Sequence, residues 1–378
     1  MNVPFNKPVC LDQHWDLVRE ALVGGHISGN GPYVKKCESK LESFTGKPSR
    51  LVTSATHAIE MMALLARLRP GDEVILPSFT FVSTASGFAL RGAVLRFADN
   101  DDSGNLLVPE VERLLNSKTR AVVTMHYAGN SADMDRLVAV CKQANVPLFE
   151  DAAQSIGATY KGRALGSIGA LGCFSFHDTK NITSGEGGAL ICGDESFVDR
   201  AEILREKGTN RSQFMQGLVD KYTWVDLGSS YVMSDLNAAY LYPQLELLSK
   251  ITSRRKEIYD RYVGELSGDF SRLDIQVLRV PTYNTPNYHL FGMIFPKAEM
   301  RSSFISFMKS HGVTCPFHYV SLHTSPFGAS FYGGKKPESL PGCEKLSHQL
   351  VRLPLYYNMT AAEQTYVVEK TREWLAKV

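Results

Sequence analysis

Apolar residues recur along the chain with two alternating periods. Ala58–Arg67 and Asp133–Gln143 have apolar positions three and four residues apart, as a helix requires, whereas Glu73–Pro77 and Val146–Glu150 are short and almost wholly apolar. The same alternation predicts a further helix over Leu106–Leu115 and strands over Arg120–His126, Ala170–Phe176 and Gly188–Cys192. Apolar strands separated by helices indicate a mostly parallel sheet with helices on both faces, which is an α/β fold.

The pattern changes after residue 233. Helical spacing that runs from Ser234 to about Leu266 predicts one long helix linking two domains. The rest of the chain predicts mixed short elements, namely an apolar run His289–Phe295, a helix Arg301–His311, a β-like run Val313–Tyr319 and a last helix Ala361–Ala376. We therefore predict a large α/β domain over residues 1–245 and a smaller α+β domain over 246–378, with the N-terminal segment as a candidate addition to the smaller one.

Charge and composition exclude several classes of function. The chain has 378 residues, and its 41 basic and 39 acidic residues are spread evenly, so no basic stripe predicts a nucleic-acid partner. The seven cysteines are scattered without a C-x-x-C pair, which favours a reducing cytoplasm over a disulfide framework or a zinc site. The sequence contains no apolar run of 18 residues and no apolar leader near Met1, so we expect a cytoplasmic protein without a membrane partner.

Familiar catalytic motifs do not occur. No G-x-G-x-x-G follows a predicted strand, and neither a P-loop nor a G-x-S-x-G elbow is present. No H-E-x-x-H or comparable cluster predicts a metal site. Candidate chemistry therefore has to come from single groups that the fold brings together.

Three such groups fall at the ends of predicted strands or directly before a predicted helix. Asp151 ends one strand, Lys180 follows another, and Thr53–Thr56 precedes a predicted helix whose free N–H groups favour an anion. Loops at the carboxyl ends of parallel strands converge, so these groups are expected at one edge of the sheet. A lysine, a carboxylate and a phosphate cradle are what pyridoxal phosphate requires, but each group alone is also typical of a surface charge, a turn or a helix cap.

A series of segments follows in a characteristic order along the chain, namely Pro77–Val82, His126–Gly129, Glu150–Gln154, Tyr160–Arg163, Gly166–Gly169, Cys173–His177, Thr179–Asn181, Glu186–Gly188, His318–Tyr319, Leu322–His323 and Arg352–Leu355. Together these segments resemble the DegT/DnrJ/EryC1/StrS family of sugar aminotransferases. The resemblance implies fold type I of the pyridoxal phosphate enzymes and a homodimer with shared active sites.

The resemblance also implies a role for individual residues. Lys180 corresponds to the lysine that forms the Schiff base with the cofactor and then carries the proton, and Asp151 to the acid that faces the pyridine nitrogen. The remaining implied contacts are Gln154 beside the ring, Phe81 stacked on the ring, and Ser54, Ala55, Thr56 and Ser175 at the phosphate. Phe81 is also compatible with ordinary core packing. The glycines after Lys180 are expected to let the backbone turn close to the cofactor without a side-chain clash. His177 is expected either to support the residues that touch the cofactor or to be structural.

One segment departs from the family pattern. Relatives commonly have an asparagine that reaches the phosphate of the neighbouring subunit's cofactor, whereas Gly228–Val232 has Ser230 at this position. A serine is shorter and still donates a hydrogen bond, directly or through water. The contact across the subunit interface is therefore expected to run through Ser230.

Substrate identity is implied by four further segments, namely Glu206–Gln213, Asp220–Trp224, Gly228–Tyr231 and Met233–Asp235. They resemble the family members that make dTDP-4-amino-4,6-dideoxygalactose from L-glutamate and dTDP-4-keto-6-deoxyglucose for cell-surface glycans. Basic residues of these segments are candidates for the nucleotide-sugar diphosphate, namely Lys207, Arg211 and Lys221. His318 and His323 are candidates for the sugar, and they align, as does His289, with histidines near the family's substrate cleft. Solvated charges and core histidines are the ordinary alternatives.

Other activities stay open at this point. The same family contains aminotransferases that form the gluco 4-amine or a 3-amino sugar. It also contains nucleotide-sugar dehydratases, which have a histidine where this chain has Lys180. A catalytically silent sugar-binding member is disfavoured because Lys180 and Asp151 are both present.

Overall fold

The computed structural model describes residues 1–378 and contains thirteen strands and fourteen α-helices. The strands are β1 Ser49–Val52, β2 Glu73–Pro77, β3 Val94–Ala98, β4 Thr119–Met125, β5 Leu148–Asp151, β6 Thr159–Tyr160, β7 Arg163–Ala164, β8 Leu171–Ser175, β9 Gly188–Ile191, β10 Gln276–Val277, β11 Asn284–Thr285, β12 Phe291–Ile294 and β13 Leu350–Leu353. The helices are α1 Gln13–Val23, α2 Pro32–Thr45, α3 Ala55–Leu65, α4 Val82–Ala89, α5 Val108–Leu114, α6 Met134–Gln143, α7 Val198–Arg205, α8 Arg211–Met215, α9 Asp235–Glu246, α10 Leu248–Ser271, α11 Ala298–Ser310, α12 Pro326–Ala329, α13 Pro341–Gln349 and α14 Ala361–Leu375.

A seven-stranded sheet with the order β1-β9-β8-β5-β4-β2-β3 forms the centre of the molecule. The pairs from β8 to β3 are parallel, and β9 is antiparallel to both of its neighbours. Successive residues of β2 face different hydrophobic clusters, with Val74 and Leu76 in one and Ile75 in the other. The predicted α/β fold with a mostly parallel, doubly covered sheet is therefore confirmed.

A second sheet, β10-β12-β13, is antiparallel and three-stranded. It packs with helices α10, α11 and α14 around a separate cluster that includes Ile258, Phe304 and Trp374. Val3 belongs to this cluster and pairs with Val313, so the N-terminal segment packs with C-terminal residues. The predicted boundary at residues 245 and 246 falls at the end of α9, and the division into two domains stays a proposal.

The long helix predicted from Ser234 to about Leu266 is wrong in one respect, because two helices occupy this range. Leu247 leaves helical geometry with φ −98° and ψ 11°, and α10 begins at the next residue. Pro243 lies inside α9 and donates no backbone hydrogen bond, which weakens the last turn of that helix. Apolar spacing continues across the break, so the periodicity alone did not reveal it.

The β-like run Val313–Tyr319 is likewise not a strand. Only Val313 forms a bridge, and it pairs with Val3 near the N-terminus. Pro316 has no N–H to donate, although its carbonyl accepts from the backbone of Arg352. His318 and Tyr319 instead lie at the cavity described below.

None of the fourteen α-helices combines the length and the apolar character that a membrane-spanning helix requires.

Candidate functional site

A cavity of about 490 Å³ lies at the carboxyl ends of the central parallel strands. Met125, Asp151 and Ser175, the last residues of β4, β5 and β8, all line it. This is the edge of a parallel sheet where ligands bind, because the strand-to-helix loops converge there. Most of the predicted site residues line the same cavity, namely Ser54, Ala55, Thr56, Phe81, Asp151, Gln154, Ser175, Lys180 and His318.

The N-terminus of α3 forms one wall of the cavity. Ser54 is the N-cap, and its Oγ accepts a hydrogen bond of 3.1 Å from the backbone N–H of His57. The N–H groups of Ala55 and Thr56 begin the helix and have no partner within it. Thr56 Oγ1 lies 2.8 Å from Ser83 Oγ, which holds its hydroxyl at the cavity. Free N–H groups, a hydroxyl and a positive helix end together suit a phosphate.

Asp151 is 3% exposed and has a defined orientation. Its Oδ2 accepts a hydrogen bond of 2.6 Å from Thr84 Oγ1, and its Oδ1 accepts one of 3.1 Å from the N–H of Ala153. The Thr84 hydroxyl in turn lies 2.7 Å from Thr80 Oγ1. A buried carboxylate held in this way presents a fixed negative charge to a ligand in the cavity.

Lys180 extends into the cavity from the turn that follows β8. Burial lowers the pKa of its ammonium group below the ordinary value; the positive charge of Arg352 acts in the same direction, while the negative charge of Asp151 opposes both. A lowered pKa increases the fraction of neutral amine near neutral pH. A neutral amine is the form that attacks a carbonyl and accepts a proton.

A set of aromatic side chains, linked by hydrogen bonds to one another and to Gln154, lies beside Asp151. Gln154 Oε1 accepts from the N–H of Ala128 at 2.8 Å, and its Nε2 donates to Tyr319 Oη at 2.8 Å. The ring of Tyr319 stacks on His318 with a centroid distance of 3.7 Å, and His318 Nδ1 lies 2.6 Å from Tyr127 Oη. Burial, with the nearby charge of Arg352, lowers the pKa of His318 well below its usual value, so this histidine is neutral.

The positions of Phe81, His289 and His177 decide between alternatives that the sequence left open. Phe81 is 53% exposed and lines the cavity, so it is not a core residue. His289 also lines the cavity, where its Nδ1 lies 2.8 Å from Asn181 Oδ1. His177 lies at the same cavity, with its Nδ1 2.9 Å from an oxygen of Asp178.

His323 does not lie at the cavity. Its ring is fully buried, with Nδ1 2.6 Å from Ser78 Oγ and Nε2 3.3 Å from Glu344 Oε1. Both ring nitrogens therefore have protein partners, which is the arrangement of a structural histidine. The substrate contact predicted for His323 is replaced by this role.

The basic residues predicted for the diphosphate lie elsewhere, on the exposed segment 207–230. Lys207, Arg211, Lys221 and Ser230 are all exposed and none of them lines the cavity of their own chain. Ser230 forms an isolated bridge with Glu206. The same segment exposes a series of large apolar side chains, namely Phe214, Met215, Leu218, Tyr222, Trp224, Val225 and Leu227.

Four of the cavity residues without a predicted role come from the two ends of the chain. Phe5 and Asn6 reach the cavity from the N-terminal segment, and Asn6 Nδ2 donates to the carbonyl of Asp178 at 3.0 Å. Tyr319 and Arg352 reach it from the C-terminal half. For Arg352 the sequence did contain a signal, because a cation between the apolar residues of β13 has to be paired or functional.

The donor set fits pyridoxal phosphate. One cavity combines a phosphate cradle at α3, a buried carboxylate at the end of β5 and an amine with a lowered pKa. The backbone of Gly188 supports the cradle, because a Cβ at this position would lie 2.4 Å from the N of Ala55. Each part of the cofactor therefore has a matching group on this chain.

Comparison with known proteins extends this result. The model of the DegT/DnrJ/EryC1/StrS aminotransferase family matches residues 11–372. The aminotransferase TlmJ from Streptoalloteichus hindustanus shares 28% identity over 99% of both chains with a TM-score of 0.90. DesV from S. venezuelae, solved with a ketimine intermediate, shares 28% identity over 100% of this chain and 99% of its own, with a TM-score of 0.88. Spr1654 from Streptococcus pneumoniae in its PMP form shares 26% identity over 100% of both chains, with a TM-score of 0.91.

Proposed function

Since this chain belongs to the DegT/DnrJ/EryC1/StrS aminotransferase family, we propose that it moves the amino group of L-glutamate to C4 of a nucleotide-linked 4-keto-6-deoxyhexose. Family membership confirms the predicted enzyme class, a sugar aminotransferase, and the predicted cofactor, pyridoxal phosphate. The observation that carries the proposal is that Lys180, Asp151 and the N-terminus of α3 line one cavity.

The proposed roles follow from the chemistry of each side chain. Pyridoxal phosphate, when bound, supplies an electron sink for the charge left when a proton leaves the substrate. Asp151 is the carboxylate that keeps the ring nitrogen protonated, and the Thr84 hydroxyl keeps its Oδ2 in place. Lys180 Nζ accepts the proton that leaves Cα of the donor, which requires the neutral amine favoured by its surroundings.

The remaining contacts complete the cofactor site in this proposal. Ser54, Ala55, Thr56 and Ser175 hold the phosphate, and Gln154 contacts the ring from a side chain already oriented by Ala128 and Tyr319. Phe81 packs on the face of the cofactor ring. Its own phenyl ring is exposed at the cavity and is therefore free to make this contact. Such contacts fix the cofactor's tilt relative to Lys180.

For the acceptor we propose dTDP-4-keto-6-deoxyglucose and for the product dTDP-4-amino-4,6-dideoxygalactose, used in cell-surface glycans. The support is the resemblance of Glu206–Gln213 and Asp220–Trp224 to enzymes with this product. The choice between the galacto and gluco amine depends on how the sugar lies against the cofactor, a difference of about 1–3 kcal/mol in cavity contacts.

A homodimer is part of the proposal. Lys207, Arg211, Lys221 and Ser230 lie outside their own cavity, on a segment with seven exposed large apolar side chains. So many exposed large apolar side chains within one short segment are typical of a protein interface. We propose that this segment packs on a second copy, so that Ser230 and the three cations serve the partner's cavity.

The test separates the two halves of the reaction. Protein loaded with pyridoxal phosphate should show a visible absorption band that glutamate removes and dTDP-4-keto-6-deoxyglucose restores, because one product leaves before the second substrate enters. Lys180→Ala should lack the band. NMR of the sugar product should show a 4-amine in the galacto configuration. Loss of water from the sugar without amine transfer would instead indicate a dehydratase, and a band insensitive to every amino donor would refute the aminotransferase proposal.

A further inference from the structure

The two ring nitrogens of His289 have different surroundings. Nδ1 lies 2.8 Å from Asn181 Oδ1, whereas Nε2 has no hydrogen-bond partner within the chain. The amide of Asn181 is held in one orientation, because its Nδ2 donates to the carbonyl of Asn287 at 2.9 Å and a reversed amide would place two oxygens against each other. Asn181 Oδ1 is therefore an acceptor, and the hydrogen of the imidazole lies on Nδ1. Nε2 is left with a free lone pair.

The imidazole of His289 is neutral, and its Nε2 is open to the cavity. Burial lowers the pKa of the imidazole well below its usual value. Three positive charges act in the same direction, namely those of Lys180, Arg255 and Arg352. The imidazole nitrogens of the chain that are both enclosed and unpartnered belong to His14 and His126. Because His289 lines the cavity, its Nε2 is an accessible acceptor that carries no hydrogen.

The backbone beside His289 is held in an unusual conformation. Tyr288 has a φ of 53°, in the left-handed region that bulky residues rarely adopt. The guanidinium of Arg255 holds this turn, because it donates to the carbonyl of Tyr288 at 3.0 Å and to that of His289 at 2.6 Å. Strain of this kind persists only where surrounding contacts enforce it. The direction of the His289 ring is therefore fixed from the backbone as well as from Asn181.

We propose that His289 Nε2 accepts a hydrogen bond from the C3 hydroxyl of the acceptor sugar. This inference rests on the proposed function, and it adds a specificity-determining residue to it. An acceptor without a hydrogen pairs with a hydroxyl and repels the oxygens of a carboxylate. It therefore matches the sugar rather than the amino donor, which carries two carboxylates and an amine that is itself the reacting group.

The covalent structure of the proposed acceptor selects the hydroxyl on C3. The reacting carbon, C4, has to come next to Lys180, and His289 lines the same cavity close enough for the charge of Lys180 to act on it. Two ring carbons are bonded to C4. C5 carries the methyl group and the ring oxygen, neither of which donates a hydrogen bond, whereas C3 carries a hydroxyl. The C3 hydroxyl is therefore the donor closest to the reacting carbon.

A matched pair of sugars that cannot accept an amine tests the proposal. dTDP-6-deoxyglucose has no carbonyl at C4, and dTDP-3,6-dideoxyglucose is the same molecule without the C3 hydroxyl. Calorimetry on protein loaded with pyridoxal phosphate should show the first sugar binding roughly three- to tenfold more tightly, the effect of one neutral hydrogen bond. His289→Asn should abolish this preference, because its amide replaces Nδ1–H toward Asn181 but does not extend to the position of Nε2. His289→Gln, which carries an amide oxygen farther out, should keep part of it.

His311→Asn is the matched control. His311 also has its Nδ1 close to an oxygen (Phe307 O, 2.8 Å) and no partner at Nε2, yet it does not line the cavity. Its replacement should leave the preference between the two sugars at the wild-type value. Both sugars are compared on the same variant, so a general loss of cofactor or of stability cancels from the ratio of their affinities.

Three results would overturn the proposal. The first is wild-type protein that binds both sugars equally, and the second is a full preference retained in His289→Asn. The third is an equal loss of affinity for both sugars in His289→Asn, which would assign His289 to the shape of the cavity. Failure of the aminotransferase function is distinct, since it would appear as a wild-type visible band that no amino donor removes.

The proposed acceptor is tested by the same measurement. Wild-type protein whose band responds to glutamate but that binds neither sugar would refute the dTDP-sugar acceptor, and the role of His289 with it.

Discussion

At the scale of single residues, Lys180 illustrates how neighbouring charges act on one amine. Burial and the positive charge of Arg352 both disfavour the ammonium form, whereas Asp151 favours it. The two charged neighbours therefore have opposite effects on the pKa of the same group. In the proposed function Asp151 is needed at the ring nitrogen, so Arg352 also compensates for its effect on Lys180.

The first prediction concerns the pKa of Lys180 in protein free of cofactor. Arg352→Gln removes a positive neighbour and should raise this pKa, so that the neutral amine appears only at higher pH; Asp151→Asn removes a negative neighbour and should lower it. The pH dependence of Lys180 acetylation, followed by mass spectrometry, measures both shifts. Arg301→Gln changes an arginine that does not line the cavity, so it should give the wild-type profile. Shifts of the same sign in Arg352→Gln and Asp151→Asn would contradict the opposite effects of these two charges on the pKa of Lys180.

At the scale of secondary-structure elements, the phosphate cradle depends on the packing of strand β9 against helix α3. Gly188 begins β9 and pairs with both Val52 and Ser175. A Cβ there would lie 2.4 Å from the backbone of Ser54 and Ala55, closer than van der Waals contact allows. The close approach of this glycine to the cofactor stays a prediction; in the structure its immediate neighbour is the backbone of the cradle itself.

The second prediction is that Gly188→Ala displaces the start of α3. Because the clash is with backbone atoms, the free energy of unfolding should fall by roughly 1–3 kcal/mol, and affinity for pyridoxal phosphate should fall as well. Urea unfolding and a cofactor titration measure the two effects. Gly264→Ala in helix α10 meets no atom within 4 Å and should be neutral or stabilising by about 0.5–1 kcal/mol. Wild-type cofactor affinity in Gly188→Ala would show that the contact does not shape the cradle.

At the scale of the whole molecule, the exposed segment 207–230 is the feature that one chain leaves unexplained. Trp224 is 75% exposed and Met215 is 72% exposed. Single exposed apolar residues are common on protein surfaces, but seven within fourteen positions, 214–227, are typical of a surface that is covered in the assembly. The proposed homodimer would cover it and bring Ser230 to a neighbouring cavity.

The third prediction is that Trp224→Asp weakens self-association. A charge within an apolar interface loses its hydration, so the dimer dissociation constant should rise at least tenfold. Sedimentation velocity over a range of protein concentrations measures it. Val378→Asp, which changes an exposed apolar residue at the chain end, should associate like wild type. A wild-type protein that stays monomeric at all concentrations would refute the dimer.

The sequence alone determined the α/β core and the groups at its strand ends. Glu73–Pro77 is a strand as predicted, and Asp151, Lys180 and the turn before α3 meet at one cavity. These features depend on local periodicity and on the rule that parallel strands end at a common edge, both of which operate over short stretches of chain. The enzyme family required the resemblance of whole segments in addition.

Only the tertiary structure decided which distant residues complete the site. Thr84 contacts Asp151 across 67 residues, and Tyr319 contacts Gln154 across 165. Phe5 and Arg352 meet from the two ends of the chain, and His323 lies in the core rather than at the cavity. A hydrophobic pattern reports that a position is buried but not which remote segment faces it, because long-range partners depend on how the whole chain packs.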